Sequence, residues 1–594
     1  MLDYAAPLRD MRFVIGEIIG YEQISALDAC EEVSAELVNA VLEEAGRFAA
    51  GVLAPLNRIG DTEGCRLDDK HVVHTPAGWR DAYAAFCDAG WNALAMNPDF
   101  GGQDLPKLVA TAVGEMWDSA NMAFGLCPLL TCGAIEAIEQ HGDEALQTRY
   151  LAKLVSGEWT GTMNLTEPQA GSDLSAVGTR AVPEGDHYRI TGQKIYITYG
   201  EHDLAENIIH LVLARTPDAP AGTRGISLFV VPKFLLDENG ACAERNDVRC
   251  VSIEHKLGIH GSPTAVMSYG DDGGAIGYLV GDENRGLMYM FTMMNAARHA
   301  VGREGFAIGE AAYQLAVAYA RERIQGQPPG ASERAPIVEH ADVKRMLMMM
   351  KSQVEAMRAV AYVCALAYDV GERHPDPEQR ARAARRGDFL TPIVKGWSTE
   401  TAQEIASLGV QVHGGMGFVE ETGAAQYLRD VRITTIYEGT TGIQAGDLVG
   451  RKTLRDGGSA ARELHDDMAA TLARLEPVTG DAAAVRDAFA SACAGWRAAL
   501  DWLCESADDP RLGAAASYNF LMLSGVVCGG WMMAEAAGVA AAALEGAPDD
   551  AAFYRAKIAA ARFYAAQILP RASGLRQAVV EGSSVIAEFD TAFV

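Results

Sequence analysis

The chain has 594 residues, too many for one ordinary hydrophobic core, so we expect three or four domains. Hydrophobic residues make up 49% and charged residues 22%, a composition typical of a soluble globular protein and not of a disordered one. The net charge of −29 argues against a nucleic-acid-binding protein, which needs clustered lysine and arginine, and we expect no nucleic-acid partner.

The cysteines and the apolar runs indicate the compartment. Eleven cysteines, with no Cys-x-x-Cys pair, favour a reducing compartment over a disulfide framework or a zinc site, and we expect no metal. The N-terminal sequence MLDYAAPLRDMRF lacks the basic end and apolar core of a signal peptide. The most apolar run, residues 520–534, is too short to span a bilayer and is closed by Glu535. Gly525 and Gly529, one helical turn apart, suit close helix packing, and we expect a cytoplasmic protein with no membrane span.

Residues 1–158 predict an N-terminal arm and a helical domain. Apolar residues recur at helical spacing in 28–50, 77–90, 105–121 and 127–141, with Gly and Pro between the segments. The GGQ sequence at 101–103 is typical of a loop. This part of the sequence predicts packed helices and offers no candidate catalytic or binding residue.

A β domain is predicted over residues 159–286. Polar and apolar residues alternate in 187–200, and turn-rich spacers separate further strand candidates at 207–215, 225–232, 248–255, 264–269 and 275–280. A run of short strands inside a helical protein predicts a small barrel or sandwich.

Helical periodicity returns for the rest of the chain. Residues 287–455 predict a four-helix bundle, with a break at 327–336 and a third helix over 389–412. We interpret the methionine cluster at 344–351 as core packing, since Met fills irregular gaps. Residues 456–594 are alanine-rich and predict an extra C-terminal helical domain. The fold class is therefore mainly α with a β domain.

The stretch ITTIYEGTTGIQ (433–444) carries the main candidate for chemistry. Residues 434–437 favour extended backbone, Gly439 breaks the run, and Thr440 and Thr441 are suited to starting a helix. Glu438 lies among an aromatic ring, apolar groups and glycine, and desolvation there raises a carboxyl pKa towards the range of a general base. Alternatively, Glu438 only complements the positive end of the following helix.

Three other stretches carry weaker signals. MNLTEPQAGSD (163–173) has hydroxyls, acids and an Ala-Gly pair that can direct N–H groups towards an anion or a ring edge, or it is an ordinary turn. KIYIT (194–198) is either a strand facing a flat ring or an ordinary amphipathic strand. HGGMGF (413–418) predicts either a close backbone approach or a helix C-cap with a loop.

These stretches occur in a specific joint order. MNLTEPQAGSD, KIYIT, ARER, QVHGGMGF and IYEGTTGIQ follow the order and spacing of the acyl-CoA dehydrogenases, and the chain resembles that flavoprotein family over roughly residues 40–455. The resemblance implies an N-terminal helical domain, a middle β-barrel and a C-terminal four-helix bundle, with FAD as cofactor. The sequence has no G-x-G-x-x-G fingerprint and no Walker A motif, which agrees with a family that holds its flavin without a Rossmann unit.

The resemblance also implies a reaction. Glu438 matches the base that removes the proton α to the thioester of an acyl-CoA, while a hydride leaves the β carbon for flavin N5 and gives a trans-2-enoyl-CoA. In the family, the flavin ribityl chain and the backbone N–H of the base polarise the thioester carbonyl as enolate charge develops. An electron-transfer flavoprotein is the implied electron acceptor.

Further positions match the family's binding residues. Tyr196 stands where relatives usually have Trp, and Asn295 where shorter relatives often carry an acid that helps bind CoA. The implied cofactor-binding residues are Met163, Leu165, Thr166, Ser172, Tyr196, Ile197, Thr198, Arg323, Gln325, Gln411, Gly414, Gly415, Thr440 and Gly442. The implied substrate-binding residues are Ser172, Asn295, Arg298, Tyr437 and Gly439.

The N-terminal arm and the extra C-terminal domain resemble a longer bacterial subgroup that includes 3-methylmercaptopropionyl-CoA dehydrogenase. This resemblance implies a homodimer, in which Arg323 and residues 411–415 reach the FAD of the other protomer. We interpret the C-terminal extension as a stabilising cap with no catalytic part. Two alternatives to a dehydrogenase stay open, namely an acyl-CoA oxidase that passes electrons to oxygen and a catalytically silent CoA-binding member of the fold.

Overall fold

The computed structural model describes residues 4–593. The chain forms two compact units. Within the described residues, the first unit comprises residues 4–46, 106–119 and 298–593, and the second comprises residues 47–105 and 120–297. The predicted fold class, mainly helical with a β domain, is confirmed, whereas the predicted domain boundaries stay predictions.

An eight-stranded sheet forms the β domain of the second unit. In chain order its strands are β1 (Trp159–Asn164), β2 (Arg180–Glu184), β3 (His187–Thr198), β4 (Asn207–Ala214), β5 (Ser227–Pro232), β6 (Val248–Ile253), β7 (Thr264–Tyr269) and β8 (Ala275–Leu279). The strand order is β6-β7-β3-β8-β5-β4-β1, with β2 paired to β3. Neighbours pair antiparallel, except that β1 and β4 are parallel.

All six predicted strand segments contain a strand, with ends that differ by a few residues. Strands β1 and β2 lie outside the predicted segments, because neither shows a clear polar–apolar alternation. Two short hairpins pair Arg66–Leu67 with Val73–His74 and Phe234–Leu236 with Cys242–Arg245.

Strands β4 and β5 are buried along their whole length. Successive side chains of a strand point to opposite faces of the sheet. In β4, Leu211 and Leu213 belong to one apolar cluster, while Val212 and Ala214 belong to another. Both faces of these two strands are covered by other parts of the protein, and their sequences are therefore apolar at nearly every position.

The second unit also contains helices. They are Ala49–Leu53 (π), Ala54–Glu63, Trp79–Asp88 and Glu144–Ser156, with 3₁₀ turns at Trp91–Ala93, Pro98–Phe100, Leu174–Ala176 and Thr223–Gly225. Helices Lys107–His141 and Gly286–Glu322 contribute residues to both units. The first of these is broken at Asn121, where φ is −163° and ψ is 84°, near the end of the predicted helix at 105–121.

The first unit is helical. Its helices near the N-terminus are Leu8–Arg12, Phe13–Ile19 (π), Tyr21–Ser25 and Ala35–Phe48, and the last two residues of Ala35–Phe48 belong to the second unit. Those of the bundle region are Ala341–Arg373, Pro377–His413, Ala424–Val431, Thr441–Gly446 and Asp447–Leu454 (π), with 3₁₀ turns at Ile337–Glu339, Gly414–Phe418, Glu420–Thr422 and Arg432–Thr435. The C-terminal helices are Ser459–Arg474, Gly480–Glu505, Pro510–Glu545, Ala551–Gln567, Arg571–Val580 and Ser583–Ala587, followed by a 3₁₀ turn at Thr591–Phe593.

Helix Pro510–Glu545 lies at the centre of the C-terminal region. A Cβ atom at Gly525 would collide with the Trp397 ring, and one at Gly529 would collide with the Tyr564 hydroxyl. The close packing predicted for these two glycines is therefore confirmed. Glu535, which closes the apolar run in the sequence, lies within this helix, and its carboxylate accepts a 2.6 Å hydrogen bond from Thr471.

Two helices, Lys107–His141 and Pro510–Glu545, have the length and apolar character of membrane-crossing segments. Their most apolar windows are 83% and 94% buried inside the protein, respectively. Core helices of soluble proteins have the same properties, so these two helices are weak evidence for a membrane span.

The N-terminal arm packs on the C-terminal region within the first unit. Arg9 forms an ion pair of 2.8 Å with Asp550, and its guanidinium lies 3.8 Å from the Phe553 ring centroid. The Tyr554 hydroxyl donates a 2.8 Å hydrogen bond to Glu17. Charge pairs and aromatic contacts thus join the two ends of the chain.

Candidate active site

The backbone before Glu438 is a 3₁₀ turn, and the prediction of extended backbone over 434–437 is wrong. The turn covers Arg432–Thr435. The Thr434 hydroxyl donates a 2.7 Å hydrogen bond to the carbonyl of Val431, three residues earlier. Such local bonds from threonine to the backbone compete with strand formation, and here they outweigh the β propensity of Thr, Ile and Tyr.

Glu438 and Gly439 are consecutive residues in the left-handed region, with φ of 54° and 88°. A non-glycine residue in this conformation persists where the surroundings hold it in place. The Gln444 amide donates to the carbonyls of Glu438 and Gly439 at 3.3 and 3.2 Å. The Lys395 ammonium donates to the Gly439 carbonyl at 2.7 Å. Two buried side chains therefore fix the backbone at Glu438.

Thr440 caps the helix that follows, as predicted. Its hydroxyl accepts a 3.3 Å hydrogen bond from the Ile443 N–H, and the helix runs over Thr441–Gly446. The Thr441 hydroxyl donates 2.6 Å to Glu400. Thr440 thus provides the side-chain cap of this helix, while the alternative in which Glu438 only complements the positive helix end stays open.

The Glu438 carboxylate is partly buried and makes no hydrogen bond or ion pair with residues 4–593. Burial raises the pKa of Glu438 to about 7, against the opposing effect of the positive charges of Lys395 and Arg298. The Glu438 backbone N–H likewise has no acceptor within these residues. A carboxylate with this pKa and no partner can take a proton near neutral pH.

A second carboxyl group, Glu304, lies behind this turn. Glu304 is fully buried and accepts a hydrogen bond from the Tyr437 hydroxyl. Burial raises the pKa of Glu304 well above its ordinary value, and the charges of Asp118 and Glu438 raise it further. Burial likewise raises the pKa of Tyr437. Burial therefore favours the protonated form of Glu304, whose carboxyl group is engaged with Tyr437.

Arg298 and Asp447 form a buried ion pair with 3.4 Å between Nη1 and Oδ2. Burial lowers the pKa of Arg298, and Asp447 and Glu438 oppose that effect. Arg298 is thus electrostatically coupled to Glu438, which agrees with its predicted place near the site. Asn295 belongs to the second unit and is partly buried.

Most of the residues predicted to reach FAD in the other protomer are exposed in this chain, but Val412 and His413 of the segment 411–415 are buried. Arg323 and Gln325 lie just beyond helix Gly286–Glu322, with 3.4 Å between the Arg323 Nη2 and the Gln325 Oε1. Gln411 lies in the last turn of helix Pro377–His413. Gly414 follows that helix at φ 61°, and added Cβ atoms at Gly414 and Gly415 would meet nothing within 4 Å.

The helix C-cap interpretation of HGGMGF is therefore confirmed at Gly414, which ends the helix. At Gly417 the structure instead shows a close backbone approach, since a Cβ there would collide with the Val410 carbonyl. Gly415 lies in open space, and so its predicted cofactor contact stays a prediction. Gly442 is the second residue of the short helix after Thr440, and an added Cβ there would make only ordinary contacts.

In the second unit, the loop of residues 163–173 is attached to strand β3 by Lys194. The Lys194 ammonium donates 2.7 Å to Glu167 and 3.0 Å to the Leu165 carbonyl, and the Ile195 N–H donates 2.9 Å to the Thr166 carbonyl. Glu167 also accepts from Gly178 and Thr179. The acid of the loop thus organises the loop itself, a role that the sequence analysis did not assign.

Strand β3 has an irregularity at Tyr196, where φ is 61° and the pairing register with β7 shifts. The Tyr196 side chain is 61% exposed, while Ile197 is buried. Thr166 and Thr198 are partly buried, and neither hydroxyl has a hydrogen-bond partner among residues 4–593. An exposed ring beside free hydroxyls suits the edge and face of a heteroaromatic group.

Met163 lies at the buried end of β1, and Leu165 packs against the same apolar cluster. Ser172 is exposed at the far end of the loop. The structure therefore brings Met163, Leu165 and Thr166 together in one segment and leaves Ser172 at the surface.

Three residues that contact the Glu438 turn, namely Lys395, Glu304 and Gln444, are not among the predicted site residues. Lys395 is a lone charge within the apolar run FLTPIVKGW (389–397), and this pattern is a signal of a buried, partnered lysine. Glu304 carries no such signal, because its contact with Tyr437 depends on which segments are neighbours in the fold. Gln444 lies within the motif itself, and its contacts are with carbonyls five and six residues earlier.

Family models define the class of protein. Three match the chain in order: "Acyl-CoA dehydrogenase, N-terminal domain" at residues 36–158, "middle domain" at 162–271 and "C-terminal domain" at 284–452. A fourth, "Acetyl-CoA dehydrogenase C-terminal like", matches residues 464–590. The chain belongs to the acyl-CoA dehydrogenase family, as its motifs predict.

Individual relatives are similar over the full length. The chain is 50% identical to 3-methylmercaptopropionyl-CoA dehydrogenase of Ruegeria pomeroyi, over 98% of this chain and 99% of that protein. It is 35% identical to a butyryl-CoA dehydrogenase of Syntrophomonas wolfei, over 100% and 99%. The crystal structure of acyl-CoA dehydrogenase complexed with FAD from Bacillus anthracis shares the fold, with a TM-score of 0.72 at 19% identity over 98% of this chain and 93% of that one.

Proposed function

We propose that this protein is an FAD-dependent acyl-CoA dehydrogenase that converts an acyl-CoA thioester to the trans-2-enoyl-CoA, with Glu438 as the base. One observation carries the assignment. The Glu438 carboxylate is partly buried, has no partner among residues 4–593, and has its pKa raised to about 7. A family member that had lost catalysis would have no reason to keep such a base on a backbone held in the left-handed conformation.

Glu438 acts first as a proton acceptor. The carbon α to a thioester is a weak acid, so its base must be ionised and must not be neutralised by a permanent partner. Lys395 and Arg298 keep part of the Glu438 population ionised at neutral pH. The unpaired Glu438 N–H can donate to the thioester carbonyl, where negative charge develops as the proton leaves.

FAD is the proposed cofactor, and the residues of the second unit fit it. The unpartnered hydroxyls of Thr166 and Thr198 are free to bond ring-edge heteroatoms, and the exposed Tyr196 side chain is free to contact a ring. Met163, Leu165 and Ile197 supply an apolar surface beside them. When bound, FAD supplies a hydride acceptor for the β carbon. Ser172, Asn295 and Gly439 stay predicted contacts to the CoA ester.

We further propose a cytoplasmic homodimer that passes electrons to an electron-transfer flavoprotein. No disulfide joins any of the eleven cysteines, all of which lie within residues 4–593, and this supports a reducing compartment. Met416 and Phe418, which are 49% and 89% exposed, follow the predicted cross-protomer segment at 411–415, and exposed apolar groups of this kind favour association. A stable tetramer in light scattering would contradict the homodimer.

The full-length relative from Ruegeria pomeroyi supports 3-methylmercaptopropionyl-CoA, or a similar short thioether ester, as the substrate. The test is anaerobic titration of the purified yellow protein with short, long, branched and sulfur-containing acyl-CoAs. We expect the flavin absorbance to bleach with the thioether ester at the lowest concentration. A colourless protein that takes up no FAD, or a yellow protein that no acyl-CoA bleaches, would contradict the function. If hydrogen peroxide forms in air at the rate of substrate turnover, the protein is an acyl-CoA oxidase and not a dehydrogenase.

A further inference from the structure

Lys395 is a fully buried lysine in helix Pro377–His413. Lysine is almost never fully buried without a partner, since removing an ammonium group from water is costly. No carboxylate within residues 4–593 forms an ion pair with Lys395; its ammonium instead donates a 2.7 Å hydrogen bond to the carbonyl of Gly439. The buried ammonium group is therefore bound to the backbone of the turn at Gly439.

That turn carries Glu438. Glu438 and Gly439 both have positive φ, and the Gly439 carbonyl lies one residue beyond the carbonyl of Glu438. The Gln444 amide donates to the same carbonyl at 3.2 Å. The Gly439 carbonyl, with two donors from two helices, is fixed in direction, and so is the Gly439–Thr440 peptide plane that contains it. The Gln444 amide also donates to the Glu438 carbonyl at 3.3 Å, so the peptide planes on both sides of Gly439, the residue after Glu438, are held.

We propose that Lys395 is a positioning residue for Glu438, which holds the Gly439 carbonyl and so aims the neighbouring carboxylate. This inference rests on the proposed function, since it assigns Lys395 to the same base. The Lys395 charge has a second effect, because a cation near Glu438 favours the ionised carboxylate.

The charged groups around Glu438 make Lys395 the cation to test. Helix Gly286–Glu322 contributes Arg298 and Glu304, and helix Pro377–His413 contributes Lys395 and Glu400. Arg298 is engaged with Asp447, which Arg451 also contacts, and Glu304 is engaged with Tyr437. Burial lowers the pKa of Lys395 to about 8, opposed by Glu438 and Glu304, so the ammonium is still protonated at pH 7.

The experiment compares Lys395→Met and Lys395→Gln with the wild type. Lys395→Met removes both the hydrogen bond and the charge, whereas Lys395→Gln removes the charge and keeps a donor. Lys344→Met is the matched control, because Lys344 is an exposed lysine on helix Ala341–Arg373 that pairs with Glu339. The readouts are the anaerobic bleaching rate from pH 5.5 to 9 and the infrared titration of the Glu438 carboxyl group, obtained as a difference against Glu438→Gln.

For Lys395→Met we expect the bleaching rate at pH 8.5 to fall about tenfold to a hundredfold, the cost of a misplaced reacting group. For both variants we expect the acid limb of the pH profile and the infrared midpoint to move alkaline by about one pH unit. Lys395→Gln should keep more of the rate than Lys395→Met does.

Three outcomes decide the inference. If Lys395→Met folds and keeps the wild-type rate and infrared midpoint, the inference is wrong. If Lys395→Met does not fold, the Lys395→Gln titration decides in the same way, and an unmoved midpoint overturns the inference. If Glu438→Gln bleaches like the wild type, the proposed function itself fails, whatever the lysine variants show.

Discussion

Lys194 and Glu167 form a buried ion pair, with 2.7 Å between the lysine Nζ and the glutamate Oε1. Burial raises the pKa of Glu167, but Lys194 and Thr179 outweigh that effect and hold it below its ordinary value. The pair connects strand β3 to the loop of residues 163–173, which holds the predicted flavin-edge residues. The geometry of the loop therefore depends on a charge pair that makes no predicted contact with the flavin.

Lys194→Met should weaken both stability and FAD binding. Breaking a buried pair from one side leaves Glu167 without its cation and costs about 3–5 kcal/mol. We expect the urea concentration at the unfolding midpoint to fall. We also expect the dissociation constant for FAD to rise, so that FAD is lost at a smaller dilution of the protein. Lys153→Met is the matched control, because Lys153 and its partner Glu158 are exposed, and it should change neither quantity. If the Lys194→Met protein has the urea midpoint and the FAD affinity of the wild type, the Lys194–Glu167 pair does not hold the loop in place.

The reductive half-reaction should depend on the ionisation of Glu438. Since burial raises the pKa of Glu438 to about 7 and the ionised form takes the proton, the rate should rise with pH and level off above about pH 8. Stopped-flow bleaching at saturating FAD measures this profile. A rate that is flat from pH 5.5 to 9 would argue against a base with a pKa near 7.

Glu438→Gln should stabilise the protein at high pH. The folded pKa of Glu438 lies above the unfolded value of about 4.3, so the glutamate's contribution to stability is fully present below pH 4.3 and is lost as the pH rises through 7. The glutamine variant should therefore gain about 1–2 kcal/mol over the wild type above pH 7, a value reduced because the side chain is partly exposed. Urea unfolding at pH 4.5 and pH 8 measures the change, and an equal difference at both values would contradict it.

Gly525→Val should destabilise the C-terminal region. A side chain there would enter the space of the Trp397 ring, and overpacking of a core costs about 1–3 kcal/mol. Gly574→Ala is the matched control, since an added Cβ at that helical position meets nothing within 4 Å and alanine is the better helix former. Thermal unfolding should show a lower Tm for the first variant and an equal or higher Tm for the second. Equal Tm values for Gly525→Val and the wild type would show that the helix contact tolerates a side chain.

Patterns within one segment predicted much of the fold. Alternation predicted strand β3, the threonine after Gly439 predicted the helix cap, and the spacing of Gly525 and Gly529 predicted close packing. The turn before Glu438 was wrongly predicted because intrinsic propensity favoured a strand, while threonine hydroxyls bonded to nearby carbonyls stabilised a 3₁₀ turn.

The part of the site that depends on distant residues was not predictable in this way. The motif indicated Glu438, but Lys395 lies 43 positions earlier on another helix, and Glu304 is separated from its partner Tyr437 by 133 positions. Nothing in either segment indicates which helix will face it. The chemistry of the base was thus predictable from the motif, whereas the groups that position it and set its pKa were not.

The central claim is that Glu438 removes the α proton, and one measurement tests it most directly. Glu438→Gln and the wild type, both loaded with FAD, are mixed anaerobically with the acyl-CoA that bleaches the wild type best. The glutamine preserves the shape of the side chain and cannot accept the proton, so we expect FAD to stay bound and the bleaching rate to fall about a hundredfold to ten-thousandfold. Bleaching of Glu438→Gln at the wild-type rate would contradict the account and assign proton removal to another residue.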